Sequence, residues 1–529
     1  MPHTRPVPSS YPRLAEAVAA LSLAGDLGMG FPLEHALRVT YLAGRTAEAL
    51  GLDPDQRLNV FYVSLLHGIG CTADAHDLAS VFAADDITLK YAGAVLDDAD
   101  QVATLRYVFG FAGSSGPAFL RPVAIARALR RGDAAFRDGL RAHCEVGELL
   151  VARLGVPDVA RAGMLALFER WDGRGAQQVA GNDVPLAARI FHVAKVAVAH
   201  FDHAGPAAAI AAVDAAAGRE LEPAPAQAFL DLTAGEPVMA SLLEADLLDR
   251  TLELEPSEGR LELAAERGDV LFGAIADMAD IKSPWLVGHS RAVSTLAVAA
   301  ARRLGVGPAD LELLGRSALA HDLGRVCVSN TILDRPGPLA PAQWEVVRLH
   351  AYHTERILLR SAALAPYAAT AGLHHERLDG TGYHRGARAP SLPPVARILA
   401  AADVYQAMTS ARPQRDAIES SRAVELMRAE VRAGRLDRDA VEAIVATAQG
   451  RPLRLVGGGR LSPREVEVLE LLARGLSTRE VAARLSITEK TVRHHVEHIY
   501  DKLGVSTRAA AVVAAIGEGR LGEPPARPG

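Results

Sequence analysis

LAHDLG, residues 319–324, and LLHGIG, residues 65–70, are one six-residue frame written twice. Each has a histidine after apolar residues and a closing glycine, but Gly68 stands in the first where Asp322 stands in the second. Working outward, the correspondence continues at fixed distances. His35 precedes His67 by 32 residues, and His289 precedes His321 by 32. Downstream, His143 precedes Leu167 by 24, and His350 precedes His374 by 24. LFERWDGRGA (167–176) and HHERLDGTGY (374–383) share Glu-Arg-x-Asp-Gly-x-Gly, with Leu167 and Phe168 where His374 and His375 stand. Six residues past the arginines of PLAARI (185–190) and PPVARI (393–398) come Lys195 and Asp403. The tails GRELEPAPAQAF (218–229) and GRLDRDAVEAI (434–444) match as well. So many concurrent spacings exclude coincidence, so the chain holds two copies of one domain. The first has 47 extra residues between His67 and His143.

Periodicity makes both copies helical. LEHALRVTYLAGRTAEAL (33–50) and GHSRAVSTLAVAAARRLG (288–305) carry apolar residues at three-and-four spacing, with Gly305 as a helix stop, and no alternating strand pattern intervenes. The fold class is all-α: tandem helical bundles, then a smaller helical domain. At 529 residues there is room for roughly three or four domains. The composition, 49% apolar, 23% charged and 5% aromatic, is that of a globular protein rich in alanine helices. A net charge of −6 gives no global sign of nucleic-acid binding. Cys71, Cys144 and Cys327 follow no metal-ligand spacing and read as reduced thiols. The absence of a signal-peptide core or long apolar run predicts a cytoplasmic protein that does not meet membrane.

The second copy sets His289, His321, Asp322, His350, His374, His375 and Asp403 in or at the ends of apolar helical runs. Unpartnered, such groups would be costly to bury. Together they form a ligand set for two divalent ions about 3.5–4 Å apart, with Asp322 as the bridge. Nitrogen and carboxylate ligands suit iron, manganese or zinc alike. Adjacent residues on a helix point about 100° apart, so His374 and His375 are expected to diverge from one helix. His353 is read as an ordinary hydrogen-bonded histidine.

In order, HSRAV, HDLGR, HAYHTERIL, HHERLDGTGYHRG, RILAAADVYQAMTS and RPQR resemble the HD-GYP phosphohydrolase family over about residues 266–448. The resemblance implies a helical HD-type fold and metal-dependent hydrolysis of cyclic di-GMP. It makes the seven residues metal ligands, with Asp322 and Arg325 catalytic. Arg325, Arg412 and Arg415 would be the phosphate grips, although for Arg412 and Arg415 a solvated surface pair is the competing reading. Three departures stand out. Gly382-Tyr383 is followed by His384, not proline; Arg325 replaces a lysine; and SPWLVG before His289 lacks the glutamate that supports a third metal, so two ions are expected. The first copy resembles the same family with its site dismantled: Gly68, Leu167, Phe168 and Lys195 replace ligands, leaving His35, His67 and His143. It is expected to hold no catalytic metal, and its Trp171-Asp172-Gly173 loop to serve the fold.

RPLRLVGGGR (451–460), with Gly457-Gly458-Gly459, reads as a linker. Capping boxes follow at Ser462-x-x-Glu465 and Ser477-x-x-Glu480. Thr488 caps a third helix closed by Gly504, and a fourth runs from about Thr507 to Gly517. Four short helices with a tight turn make a helix-turn-helix unit. The stretch from Leu461 through Val512 is similar to LuxR/FixJ-type DNA-binding domains. That similarity puts the motif at Ser477 to Val496, with Lys490, Thr491, Arg493, His494 and Glu497 facing DNA and Val492 and Ile499 facing the core. Residues 460–521 hold ten Lys/Arg and eight Asp/Glu, +2 in a chain of −6.

The expected organisation is a degenerate domain (1–235), a connecting helical segment (236–265), an HD-GYP domain (266–448), a linker (449–460), a helix-turn-helix domain (461–521) and a disordered tail (522–529). The expected partners are DNA, a nucleotide second messenger and a second copy of the chain. Two rivals stay open: a nucleotide-sensing regulator without turnover, and a hydrolase of another nucleotide whose helix-turn-helix mainly dimerises.

Overall fold

A computed structural model of the chain describes residues 12–97, 100–263, 265–449, 461–503, 505 and 507–517. Residues 450–460, Gly504 and the tail 522–529 lie outside the described residues, and with them the linker and tail expectations. Among the described residues the regular structure is helical, with isolated β-bridges only.

The repeat holds in three dimensions, and the reasons are local. His35 and His289 are each the first residue of a helix, His35–Ala49 and His289–Arg303, preceded by a residue in the left-handed region, Glu34 (φ 72°) and Gly288 (φ 77°). In each copy a carboxylate from the end of the preceding helix caps the entry. Asp26 Oδ1 accepts from Ala36 N (3.0 Å), and Asp280 Oδ2 accepts from Ser290 N (2.8 Å). Gly70 and Gly324, which close the two six-residue frames, are contact points between chain segments. A Cβ at Gly70 would lie 2.1 Å from the His143 carbonyl oxygen, and one at Gly324 would lie 2.0 Å from that of His350. Only glycine lets the backbones approach so closely.

The shared Glu-Arg-x-Asp-Gly-x-Gly frame also builds structure rather than a site. Glu169 accepts from Gln177 N and Val179 N, and Glu376 accepts from Arg385 N and Ala387 N. Trp171 N donates to Glu220 O, and Leu378 N donates to Arg435 O. These bonds give the persistence of Trp171-Asp172-Gly173 a structural reason.

The two copies are not separate bodies. Helix Leu14–Gly28 is apolar nearly all round because it packs on its own helix His35–Ala49 and also on turn Leu323–Cys327 and helix Pro341–Leu358 of the second copy. Leu14, Leu271, Leu323 and Leu358 belong to one continuous core. Segment 236–265 is not a free connector: its helix Leu247–Glu253 packs on helix His35–Ala49, and Leu14 N donates to Leu261 O. The extra residues of the first copy form helices Ala75–Phe82, Asp86–Gly93, Gln101–Phe111 and the start of Arg121–Arg153, around a small core that includes Leu78, Phe82 and Leu89. From this insertion Asp86 reaches Lys282 in a fully buried ion pair of 2.8 Å.

The last helices, Pro463–Ala473, Thr478–Leu485, Glu489–Leu503 and Arg508–Gly517, form the expected four-helix unit, with both capping boxes made. It sits against the body: Val287 enters its core, and Arg153 Nη2 donates to Val513 O (2.9 Å). No described helix is long and apolar enough to cross a membrane.

Candidate metal centre

The structure brings all seven predicted ligands of the second copy to one buried place. Six of them fall into two groups, His289, His321 and Asp322 on one side and His350, His374 and His375 on the other. Asp322 stands between them. Its Oδ2 lies 3.2 Å from His321 Nε2 and 3.5 Å from His289 Nε2, while its Oδ1 lies 3.4 Å from His350 Nε2 and 3.7 Å from His374 Nε2. Asp403 closes the other face, 3.2 Å from His289 Nε2 and 3.6 Å from His375 Nδ1.

Second contacts aim the rings. His321, His350 and His374 each donate from Nδ1 to the carbonyl three residues back (Ala318, Val347 and Ala371, 2.5–2.7 Å), which turns Nε2 toward the centre. The helical reading of the histidine pair needs correction. Helix Ala365–Gly372 ends before them, and His374 and His375 lie in the following turn with ring centroids 4.1 Å apart. The two rings lie with His350 in one group. His353 lies outside the ligand set, half-buried.

Electrostatics fits cations. Burial lowers His289 and His350 to about 4 and holds His374 and His375 well below the usual range, so these four are neutral and their lone pairs are available. Against their burial, Asp322 and Asp403 stay ionised; Arg325 and His321 hold down the first, His289 and His321 the second. His321 carries a proton, its burial outweighed by Asp322 and Asp403, which raise it to about 10. A divalent cation would displace that proton. His289 Nε2, His321 Nε2, His375 Nε2, Asp403 Oδ1 and Asp322 Oδ2 are buried without a hydrogen bond. Buried polar atoms are rarely left so, and this set suits two metal ions.

Above the centre opens a pocket of about 500 Å³ lined by Arg325, Arg412, Arg415, Tyr383, Trp285 and Trp344, among others. Arg325 Nε stands 2.9 Å from Asp322 Oδ1. Arg412 is half-buried, reaching the Trp285 carbonyl and His289 Nδ1 (3.3 and 3.4 Å). Arg415 differs: its guanidinium donates to the carbonyls of Ala407, Met408, Ser410 and Asp416 and so fastens the end of helix Pro394–Thr409. It borders the pocket with both terminal nitrogens engaged by carbonyls. His384, which replaces the family's proline, turns to Glu355 (3.2 Å).

Sequence reasoning missed Asp280, Trp285, Trp344 and Tyr383. Asp280 is buried, raised to about 7 by desolvation, and feels the charge of Asp322. Asp280, Trp285 and Trp344 carry no spacing signal, whereas Tyr383 was marked by its place beside His384 but given no role.

In the first copy the counterparts do not assemble a centre. His143 Nε2 contacts the His67 carbonyl (2.6 Å), His35 Nδ1 contacts Asp202 (2.6 Å), and Lys195 Nζ lies 4.7 Å from the Phe168 ring. In the small domain Lys490, Thr491, Arg493, His494 and Glu497 are all exposed, while Val492 and Ile499 are buried. Thr488 Oγ1 caps by accepting from Thr491 N (3.1 Å).

Residues 273–440 match the family model described as HD domain, and residues 460–515 match bacterial regulatory proteins of the luxR family. The chain is 30% identical to 3′3′-cGAMP-specific phosphodiesterase 3 of Vibrio cholerae over 78% of its own length and 90% of that protein's. It is 36% identical to a cyclic di-GMP phosphodiesterase of Pseudomonas aeruginosa over 26% of its length and 34% of that protein's. A crystal structure of a cyclic GMP-AMP-specific phosphodiesterase of V. cholerae aligns with a TM-score of 0.58 at 26% identity, covering 84% of this chain and 99% of that one.

Proposed function

Because the chain belongs to the HD-GYP phosphodiesterase family and carries a luxR-type DNA-binding domain, we propose that it hydrolyses a 3′,3′-cyclic dinucleotide at two divalent ions and couples that nucleotide to DNA binding. The observation that carries this reading is the pair of ligand groups joined through Asp322 beneath a pocket lined with arginine and tryptophan. Bound there, divalent ions supply an activated water and neutralise phosphate charge.

The protein's own residues do the rest. Asp322 and Asp403, with the carbonyl-anchored histidines, would hold the cations. Arg412 and Arg325 grip the phosphate oxygens and stabilise charge that develops as the phosphorus–oxygen bond breaks. Burial keeps the Tyr383 hydroxyl protonated, which makes it a donor at the pocket wall. Trp285 and Trp344 offer faces on which purines stack. Arg415 holds the pocket rim in place.

Two substrates need separating. The relative that aligns across both copies acts on 3′3′-cGAMP by its name, which favours that nucleotide; the shorter alignment favours cyclic di-GMP. In the regulatory part, Lys490, Thr491, Arg493, His494 and Glu497 form the face that enters the major groove. The test is elemental analysis with product chromatography on the purified chain. Expected are about two equivalents of iron, manganese or zinc and linear or mononucleotide product from 3′3′-cGAMP, with slower turnover of cyclic di-GMP. Metal-loaded protein that binds either nucleotide but releases no product would establish the sensor rival instead.

A further inference from the structure

The insertion of the first copy lines that copy's own cavity, about 150 Å³, with Leu78, Leu89, Lys90 and Tyr107. It also reaches the second copy, at two points behind one wall of the catalytic pocket. That wall consists of two short stretches. Ser283, Trp285 and Leu286 line the pocket from the turns between helices Ala265–Asp280 and His289–Arg303, and Ile332 and Leu333 line it from helix Asn330–Leu333. Neither stretch can hold itself. One is a run of turns, the other a single helical turn, and a lone turn is not stable in water without outside support.

The support comes from carboxylates. Asp86, the first residue of helix Asp86–Gly93 in the insertion, is completely buried and ties both stretches together. Its Oδ2 accepts from Lys282 Nζ (2.8 Å), an ion pair in which both side chains are fully buried. Its Oδ1 accepts from Ser329 Oγ (3.1 Å) and Asn330 N (2.7 Å). Asn330 Nδ2 donates back to the Lys282 carbonyl (2.7 Å), which closes a ring between the two stretches. Asp334 makes the second tie. It accepts from Ser283 Oγ and from Asn330 Nδ2 (2.6 Å), and His76 Nδ1, from helix Ala75–Phe82 of the insertion, reaches its Oδ2 at 2.9 Å. Helix Ala75–Phe82 packs directly on helix Asn330–Leu333.

A pair such as Asp86–Lys282 adds little net stability over apolar packing, but loss of one partner strands a buried charge, so the pair fixes one arrangement of the segments it joins. Against burial, Lys282 and Lys90 keep Asp86 below the ordinary carboxylate range, so the acid is ionised. The wall in turn supports the groups that face substrate. Arg412 donates to the Trp285 carbonyl (3.3 Å), and Gln414 Nε2 donates to the carbonyl of Arg335 (3.1 Å), next to Asp334.

We infer that Asp86 and His76 of the first copy are positioning residues for the second copy's substrate pocket: through Lys282, Asn330 and Asp334 they fix the wall that carries Trp285 and the carbonyl that holds Arg412. The copy without metal ligands thus shapes the pocket of the copy that has them. Neither residue lines that pocket, so both act on how substrate is held and not on the ions. The inference rests on reading the pocket as a cyclic-dinucleotide site.

The test compares His76→Phe, which loses the contact to Asp334, with His76→Asn, whose side-chain amide replaces Nδ1, and with Asp86→Asn. His76 is half-buried, so its two variants carry the test even if Asp86→Asn fails to fold. The first readout needs no nucleotide. In the full chain with Trp171→Phe and Trp344→Phe, Trp285 is the single tryptophan. Acrylamide quenching of its fluorescence should rise by about twofold in His76→Phe and Asp86→Asn, and stay at the parent's level in His76→Asn. The second readout is kinetic, with the native tryptophans and bound metal. KM for 3′3′-cGAMP should rise by about fivefold in His76→Phe and about tenfold in Asp86→Asn, with kcat within about twofold, metal content unchanged and His76→Asn near the parent. Unchanged quenching in His76→Phe overturns the inference, whatever the nucleotide does. So does a KM at the parent's value, or loss of metal from His76→Phe, which would make the insertion a general support of the centre. A parent chain that neither binds nor hydrolyses a cyclic dinucleotide removes the substrate reading instead, and quenching alone then decides the positioning.

Discussion

The two copies of the repeat keep the same skeleton and differ in what they hold. Gly70 and Gly324, Glu169 and Glu376, Asp26 and Asp280 do matching work in each, because a close backbone approach, a looped segment and a helix entry require them. The groups without a structural duty have diverged. Asp322 stands between two groups of histidines where Gly68 is bare; His375 faces Asp403 where Phe168 faces Lys195. The lesson is that loss of catalytic ligands does not unmake a fold whose supports lie elsewhere. A cavity left behind is then open to new chemistry.

The sharpest way to break the comparison is to remove the bridge. Asp322→Ala should empty the centre and lower phosphodiesterase activity by more than roughly 100-fold, beyond the usual loss on removing an outer-shell partner, with helicity kept in circular dichroism. His35→Ala and His67→Ala should leave metal content and turnover near the parent's. If metal content survives Asp322→Ala, or is lost from either first-copy variant, the assignment of the two copies is wrong.

Next in size come the shared supports. Gly70→Ala and Gly324→Ala should each cost about 1–3 kcal/mol in urea unfolding, because the added methyl meets a carbonyl oxygen in both. A large cost in one copy alone would show that the skeleton is less symmetric than its sequence.

Acid should act on the first copy through its buried histidines. In the folded chain burial brings His67 and His143 down to about 3 and about 4, while the unfolded chain takes up those protons nearer the ordinary histidine value of about 6.5. Stability is therefore complete above that value and falls as pH drops toward the folded values. The slope is ~1.4 kcal/mol per pH unit per histidine at most. His67→Gln should flatten the acid limb of a urea-midpoint profile, and an unchanged limb would mean that the residue does not stay neutral in the fold.

The smallest expected effect is the coupling between nucleotide and DNA. The DNA-binding domain touches Val287, two residues before His289, so an occupied catalytic pocket should shift DNA affinity at fixed salt by about 1–3 kcal/mol. Arg493→Ala serves as the control and should remove specific binding with or without nucleotide. Equal affinity across the nucleotide's binding range would mean that the two activities merely share a chain.

Much of this was legible in the chain order. Spacing pointed to the repeat and to seven side chains that the structure brings together, and apolar periodicity to the all-helical class, because side chains that converge on one point occur at intervals set by helix lengths. Capping boxes marked the small domain because the first turn of a helix has amide groups that need acceptors. Other features waited for the tertiary structure. The histidine pair proved to lie in a turn, since a helix end depends on what packs beyond it. Arg415 proved to fasten backbone, since a guanidinium takes whichever carbonyls the fold brings near. The copies proved to share a core, and the insertion to line the first copy's cavity, because apolar residues report that they are buried and not against what. The sequence by itself determined which groups must meet; only the three-dimensional packing decided where the chain ends its helices, which cations face a ligand and how much room a ligand has, since those depend on contacts between segments far apart in the chain.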